Sequence, residues 1–80
     1  MTVKAFIMMN VSTGKEDEVC GELVKHDEVE EVDTIYGEYD AVLKVRVKDM
    51  NDLDDFIVQK LRAMPNIFLT ATMIIAKEHK

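Results

Sequence analysis

The chain has 80 residues, 48% of them hydrophobic and 32% charged, and its 10 Lys+Arg against 16 Asp+Glu give a net charge of −6. Such a length holds one domain, the apolar content excludes a disordered acidic tail, and no apolar run approaches the roughly 20 residues a membrane helix needs. Direct nucleic-acid binding is not expected, because a lone domain gripping phosphates carries a basic face. The single cysteine excludes an internal disulfide and fits a reducing cytosol. Met1-Thr2-Val3-Lys4 leads straight into patterned sequence, so no cleavable leader is expected and the cytoplasm is the expected location.

Val3 to Val11 is almost uninterruptedly apolar. Val3, Ala5, Ile7, Met9 and Val11 share one face, and Phe6 and Met8 make the other apolar too. A strand covered on both sides reads this way, which predicts a central strand. Thr13 followed by Glu16 has the spacing of a capping box, and Val19, Cys20, Leu23 and Val24 recur on one helical face. A first helix is predicted at about 14–26, with Lys25 and His26 near its negative end. Val29 to Tyr36 alternates with charge and predicts an edge strand. Gly37-Glu38 then predicts a two-residue type II′ turn into Tyr39–Val47, with Ala41, Leu43, Val45 and Val47 on one face.

Asp49 is the predicted cap of a second helix whose apolar stripe is Leu53, Phe56, Ile57, Leu61 and Met64. Pro65-Asn66 ends it. Ile67 to Ala76 is the last strand, with Leu69, Ala71, Met73 and Ile75 on one face and Phe68, Thr70, Thr72 and Ile74 on the other. Lys77–Lys80 is a polar tail. The order β-α-β-β-α-β predicts an α+β, ferredoxin-like fold: a four-stranded antiparallel sheet with two helices on one face. The open face is expected to carry Phe6, Met8, Val42, Phe68 and Ile74 among Lys44, Arg46, Thr70 and Thr72. So large an apolar face is expected to dimerise with a second copy.

No nucleophile–base pair and no phosphate-cradling glycine loop stand in the sequence. Cys20 reads as a small buried hydrophobe. His26 with Asp27, Glu28 and Glu30 matches no metal-ligand spacing, and the six methionines read as core and interface filler. No metal or cofactor is expected. The remaining candidate is Tyr36-Gly37-Glu38-Tyr39-Asp40. A carboxylate opening an apolar strand either fixes the turn through backbone N–H groups or meets a cationic group while turn N–H groups meet an anion. Thr70 and Thr72, two apart on the last strand, add hydroxyls, although Thr-x-Thr is also ordinary strand composition.

Tyr36-Gly37-Glu38-Tyr39-Asp40-Ala41-Val42-Leu43-Lys44-Val45 resembles the G-x-Y-D hairpin of the ligand-binding (RAM) domain of leucine-responsive and asparagine-responsive (Lrp/AsnC) transcription regulators. Asp49, Leu53, Phe56, Leu61, Met64-Pro65-Asn66-Ile67 and Thr70-x-Thr72 follow the same rhythm. The resemblance covers essentially the whole chain, residues 1–80, without the helix-turn-helix DNA-binding domain usual in the family. It implies a stand-alone sensor that forms dimers through its sheets, and rings of four or five dimers. It also implies an amino acid effector bound between neighbouring dimers, and a full-length regulator of the family as a partner. Tyr36, Gly37, Glu38, Tyr39 and Asp40 belong to the implied effector loop. Thr70 and Thr72 match the strand that helps to close the site, from a subunit the sequence does not identify. In such a site Asp40 pairs with the α-ammonium, N–H groups near Gly37-Glu38 hold the α-carboxylate, and Ile35 or Tyr39 meets the side chain.

Two other classes fit the same element order. A dimeric α/β-barrel enzyme of the small monooxygenase type needs a His, Asn or Trp inside the barrel, and only Asn10, at the end of the first strand, approaches that. A structural assembly module would need no occupied site at all.

Overall fold

The computed structural model describes residues 2–80. Four strands form one antiparallel sheet in the order β2-β3-β1-β4: β1 Val3–Val11, β2 Val29–Thr34, β3 Ala41–Val47 and β4 Ile67–Ile74. Helix α1 spans Glu16–Leu23, and α2, Met50–Asp55, continues into a π turn over Phe56–Leu61. This is the ferredoxin-like βαββαβ arrangement, with β1 central and β2 at an edge as expected. No helix among the described residues is long and apolar enough to cross a membrane.

The core lies between the sheet and the helices. Ala5, Ile7, Met9 and Val11 from β1 and Ala41, Leu43, Val45 and Val47 from β3 face Val19 and Leu23 of α1 and Leu53, Phe56 and Leu61 of the second helix. Ala5 pairs with Val45, Ile7 with Leu43 and Met9 with Ala41, so the two alternating patterns coincide on one face. Val29 and Val32, three apart, both pack on this core because the β2 register shifts between Val29 and Glu31. Of the methionines, Met9 is buried, Met64 packs on the core, and Met50 and Met73 are half exposed. Met1 lies outside the described residues.

Local chemistry departs from the expectations at three places. The first is the start of α1. Ser12 to Lys15 forms a turn in which Lys15 N–H donates to Ser12 C=O at 2.9 Å, and Gly14 sits at φ 84°. A positive φ at the third position is the type II geometry that glycine supplies without strain. This turn occupies the residues of the expected capping box, so the helix begins at Glu16 behind Lys15 and has no side-chain cap. It also ends at Leu23, which leaves Val24 exposed and Lys25 and His26 beyond the last turn.

The second departure is the hairpin. It is wider than two residues: Ile35 N–H donates to Asp40 C=O at 2.9 Å, so Tyr36–Tyr39 make the loop. Gly37 takes φ 141° with open space around it, so conformation and not room requires glycine there. The reversal widens because Asp40 N–H is held by Met9 C=O at 2.9 Å, which keeps Asp40 on the ladder.

The third is the facing of β4. Thr70, Thr72 and Ile74 lie directly opposite Met9, Ile7 and Ala5, so they share the helix side and not the open face. The register with β1 shifts between Met9 and Val11, and the irregularity falls on Phe68 and Leu69, both about two-thirds exposed (65% and 66%). The open face therefore carries Lys4, Phe6 and Met8 from β1, Glu31 and Asp33 from β2, Val42, Lys44 and Arg46 from β3, and Ala71 and Met73 from β4.

Candidate functional site

At the end of the sheet where β2 stops, the chain leaves an acidic cleft of about 320 Å³, at the lower end of small-molecule sites. Glu16 and Asp17 from the first turn of α1 form one wall. Thr34, Ile35, Tyr36 and Asp40 form the other. The local folds that place them are the Ser12–Lys15 turn, which sets the start of α1, and the Tyr36–Tyr39 loop, which turns Tyr36 fully out to solvent.

Asp40 anchors the site. Its Oδ2 accepts from Val11 N–H at 2.8 Å, and its own N–H and C=O bond to Met9 and Ile35. The carboxylate therefore fixes the hairpin to the end of β1, as the turn-fixing reading of the sequence expects. No protein hydrogen bond occupies Oδ1 among the described residues. The lining holds three carboxylates and no lysine or arginine, so the cleft is a region of negative potential. Cys20, one turn on from Glu16, registers that field. Burial first, and then Asp17, Glu16 and Asp33, push its thiol above the ordinary value, which keeps it protonated and unreactive.

Of the expected site residues, the structure brings Tyr36 and Asp40 to one cleft. Gly37, Glu38 and Tyr39 form the loop beside it without lining it. Thr70 and Thr72 are elsewhere. Thr70 is opposite Met9, which is also opposite Ala41, so a whole strand separates it from the Asp40 end of β3, roughly 10 Å at two strand spacings. Ile35, expected against a ligand side chain, lines the cleft, and Asn10 and His26 do not. Glu16 and Asp17 were legible only as first-turn acids that suit the helix dipole; nothing in their spacing set them beside Asp40. A second cleft, of about 460 Å³, opens between α1 and the π turn and contains none of the expected residues; His26 and Lys60 line it.

The comparisons with known proteins point one way. A family model described as the Lrp/AsnC ligand binding domain matches residues 4–80. The chain is 41% identical over 76 residues to the HTH-type transcriptional regulator FL11 of Pyrococcus abyssi, a match covering 95% of this chain and 50% of that protein. It spans about half the length of the curated relatives it matches. Among solved structures, a hypothetical protein from Pyrococcus horikoshii is 48% identical with a TM-score of 0.89, over 96% of this chain and 93% of its own. A transcriptional regulator from Neisseria meningitidis, crystallised as its L-Met complex, shares the fold at a TM-score of 0.85 and 24% identity, over 98% of this chain and 52% of that one.

Proposed function

The chain belongs to the Lrp/AsnC ligand-binding domain family, and from that premise we propose that it is a non-catalytic sensing and assembly domain in transcription regulation, whose effector is a free amino acid. The observation that carries the reading is the cleft that gathers Tyr36 and Asp40. The L-Met complex of the Neisseria fold neighbour supports an amino acid as the ligand class.

In this reading the α-ammonium pairs with the free Oδ1 of Asp40, and the N–H groups of the Gly37-Glu38 loop hold the α-carboxylate. Ile35 and the exposed Tyr36 ring meet the side chain. With Glu16 and Asp17 opposite, neutral and basic amino acids bind better than acidic ones. Thr70 and Thr72 are too far from Asp40 to close the same cleft in one chain, so a neighbouring subunit supplies them. Two copies pack through their open sheet faces, and four or five such dimers form a ring with the effector between neighbours. A ligand that touches two dimers shifts assembly by its differential affinity for the joined state. The output passes in the cytoplasm to a longer regulator that carries the same domain and mixes with this chain.

A thermal-shift screen against the twenty L-amino acids, with assembly size read by light scattering on each hit, tests the reading. A ligand at about 100 times its dissociation constant adds roughly 2.7 kcal/mol, or about 10–20 °C for a domain of this size. A selective shift that disappears in Asp40→Asn supports the sensor. A flat screen over an intact assembly overturns the effector part, and absence of any mixed complex in a pull-down from the native cell overturns the partner part.

A further inference from the structure

The sheet face away from the helices is apolar in its middle but carries two lysines there. Lys4 on β1 and Lys44 on β3 lie on this face, since Lys4 is opposite Arg46 and Lys44 opposite Phe6, while Ala5, Ile7 and Val45 turn into the core. Both lysines are already largely covered, with side chains only 24% and 19% exposed. Lys44 Nζ stands 5.8 Å from the centroid of the Phe6 ring, so its stem is laid over the apolar surface and its charge is held close to it.

One carboxylate serves both. Past β4, Ile75 N–H donates to Lys4 C=O at 2.9 Å and keeps the chain beside β1. Glu78 then reaches over the face, with Oε1 3.2 Å from Lys4 Nζ and Oε2 3.5 Å from Lys44 Nζ. Phe6, Met8, Val42, Ala71 and Met73 make up the apolar ground around this triad.

We propose that Glu78 is the residue that makes this face acceptable to a second copy of the chain, because it keeps Lys4 and Lys44 paired as the face loses water. The inference rests on the dimer part of the reading above. A twofold axis sets a surface against itself, so unpaired lysines near the middle would face lysines. Glu78 offsets one of the two lysine charges within each chain, which lowers that repulsion and leaves the apolar residues free to pack. Glu31, opposite Lys44, and Asp33, opposite Val42, stand on the same face at its β2 edge, so the face carries charge of both signs around its apolar ground, which is why a second copy is the occupant it fits. Removing one member of a desolvated charge cluster costs far more than replacing the whole cluster by apolar groups, because the remaining charges are then buried alone.

The test uses the full chain in a dilution series by sedimentation equilibrium. Glu78→Gln is expected to raise the dimer dissociation constant about tenfold or more, with the far-ultraviolet circular dichroism unchanged. The triple variant Lys4→Met, Lys44→Met, Glu78→Gln is expected to return to wild-type affinity or tighter. Deletion of residues 77–80 gives the same weakening as Glu78→Gln and serves should that variant misfold. A wild type that dimerises alongside an equally tight Glu78→Gln overturns this inference and leaves the dimer standing. A wild type that is monomeric at every concentration overturns both.

Discussion

Asp40 holds the ends of three strands in place. Its carboxylate takes Val11 N–H at the end of β1, its N–H gives to Met9, and its C=O takes Ile35 N–H at the end of β2. The side-chain bond is charge-assisted and partly buried, so Asp40→Ala is expected to lower unfolding stability by about 1–2 kcal/mol in urea titrations. Asp40→Asn keeps an acceptor for Val11 and should retain most of that stability, yet it removes the charge that a ligand ammonium requires. The pair of variants thus separates the structural role from the binding role. Glu28 allows a different test. Its Oε2 accepts from Lys60 Nζ at 2.6 Å, while Oε1 is buried without a partner. The bond from Lys60 holds the Glu28 carboxyl below its ordinary value of 4.5, with burial opposing. A carboxyl held low in the folded chain stabilises the fold above 4.5 and loses that contribution as pH falls through its folded value. Lys60→Met is therefore expected to reduce stability at neutral pH and to flatten its acid decline, read by unfolding curves across that range.

The second helix shows how spacing and element type are coupled. Phe56 and Leu61 are both fully buried although five residues separate them. At about 100° per residue an α-helix would set them roughly 140° apart. The π turn over Phe56–Leu61, marked by Arg62 N–H donating to Ile57 C=O at 2.9 Å, brings both to the sheet. Deleting the exposed Val58 would place the two at i, i+4 of an ordinary helix. That variant is expected to keep its helical circular dichroism and a cooperative melt, whereas deleting Glu18 from α1 keeps Val19 and Leu23 together but turns both by about 100° relative to the turn that starts the helix, and should abolish the cooperative melt. The cap of α2 is simpler. Asp49 accepts from Asp52 N–H at 2.9 Å, and Asp49→Ala is expected to cost about 1 kcal/mol by the same urea titration.

For the whole molecule, size is the governing constraint. A domain of 60–80 residues buries only about 60% of the surface its unfolded chain exposes, and this one leaves Phe6, Met73 and other apolar groups of its sheet face uncovered. If a second copy covers that face, the melting temperature rises with protein concentration, because mass action favours the species that unfolding removes. Met73→Asp places a charge on the apolar ground at a residue 52% exposed. It is expected to leave the monomer folded by circular dichroism, to hold it monomeric by light scattering, and to erase that concentration dependence.

Much of this architecture was legible in the chain itself. The runs Val3–Val11 and Ala41–Val47 declare strands by alternation, the stripe from Leu53 to Met64 declares a buried helix face, and Asp49 declares its cap. These are local signals, because strand and helix periods and a capping oxygen act within a few residues. The facing of β4 was decided only by its pairing. Both of its alternating sets contain apolar residues, and the register shift between Met9 and Val11 sends Thr70, Thr72 and Ile74 to the helix side. The turn at Gly14, the wide loop around Gly37 and the joining of Glu16, Asp17 and Asp40 in one cleft were decided the same way. Each depends on which backbone groups a distant strand satisfies, and a sequence read a few residues at a time carries the periods but not those partners.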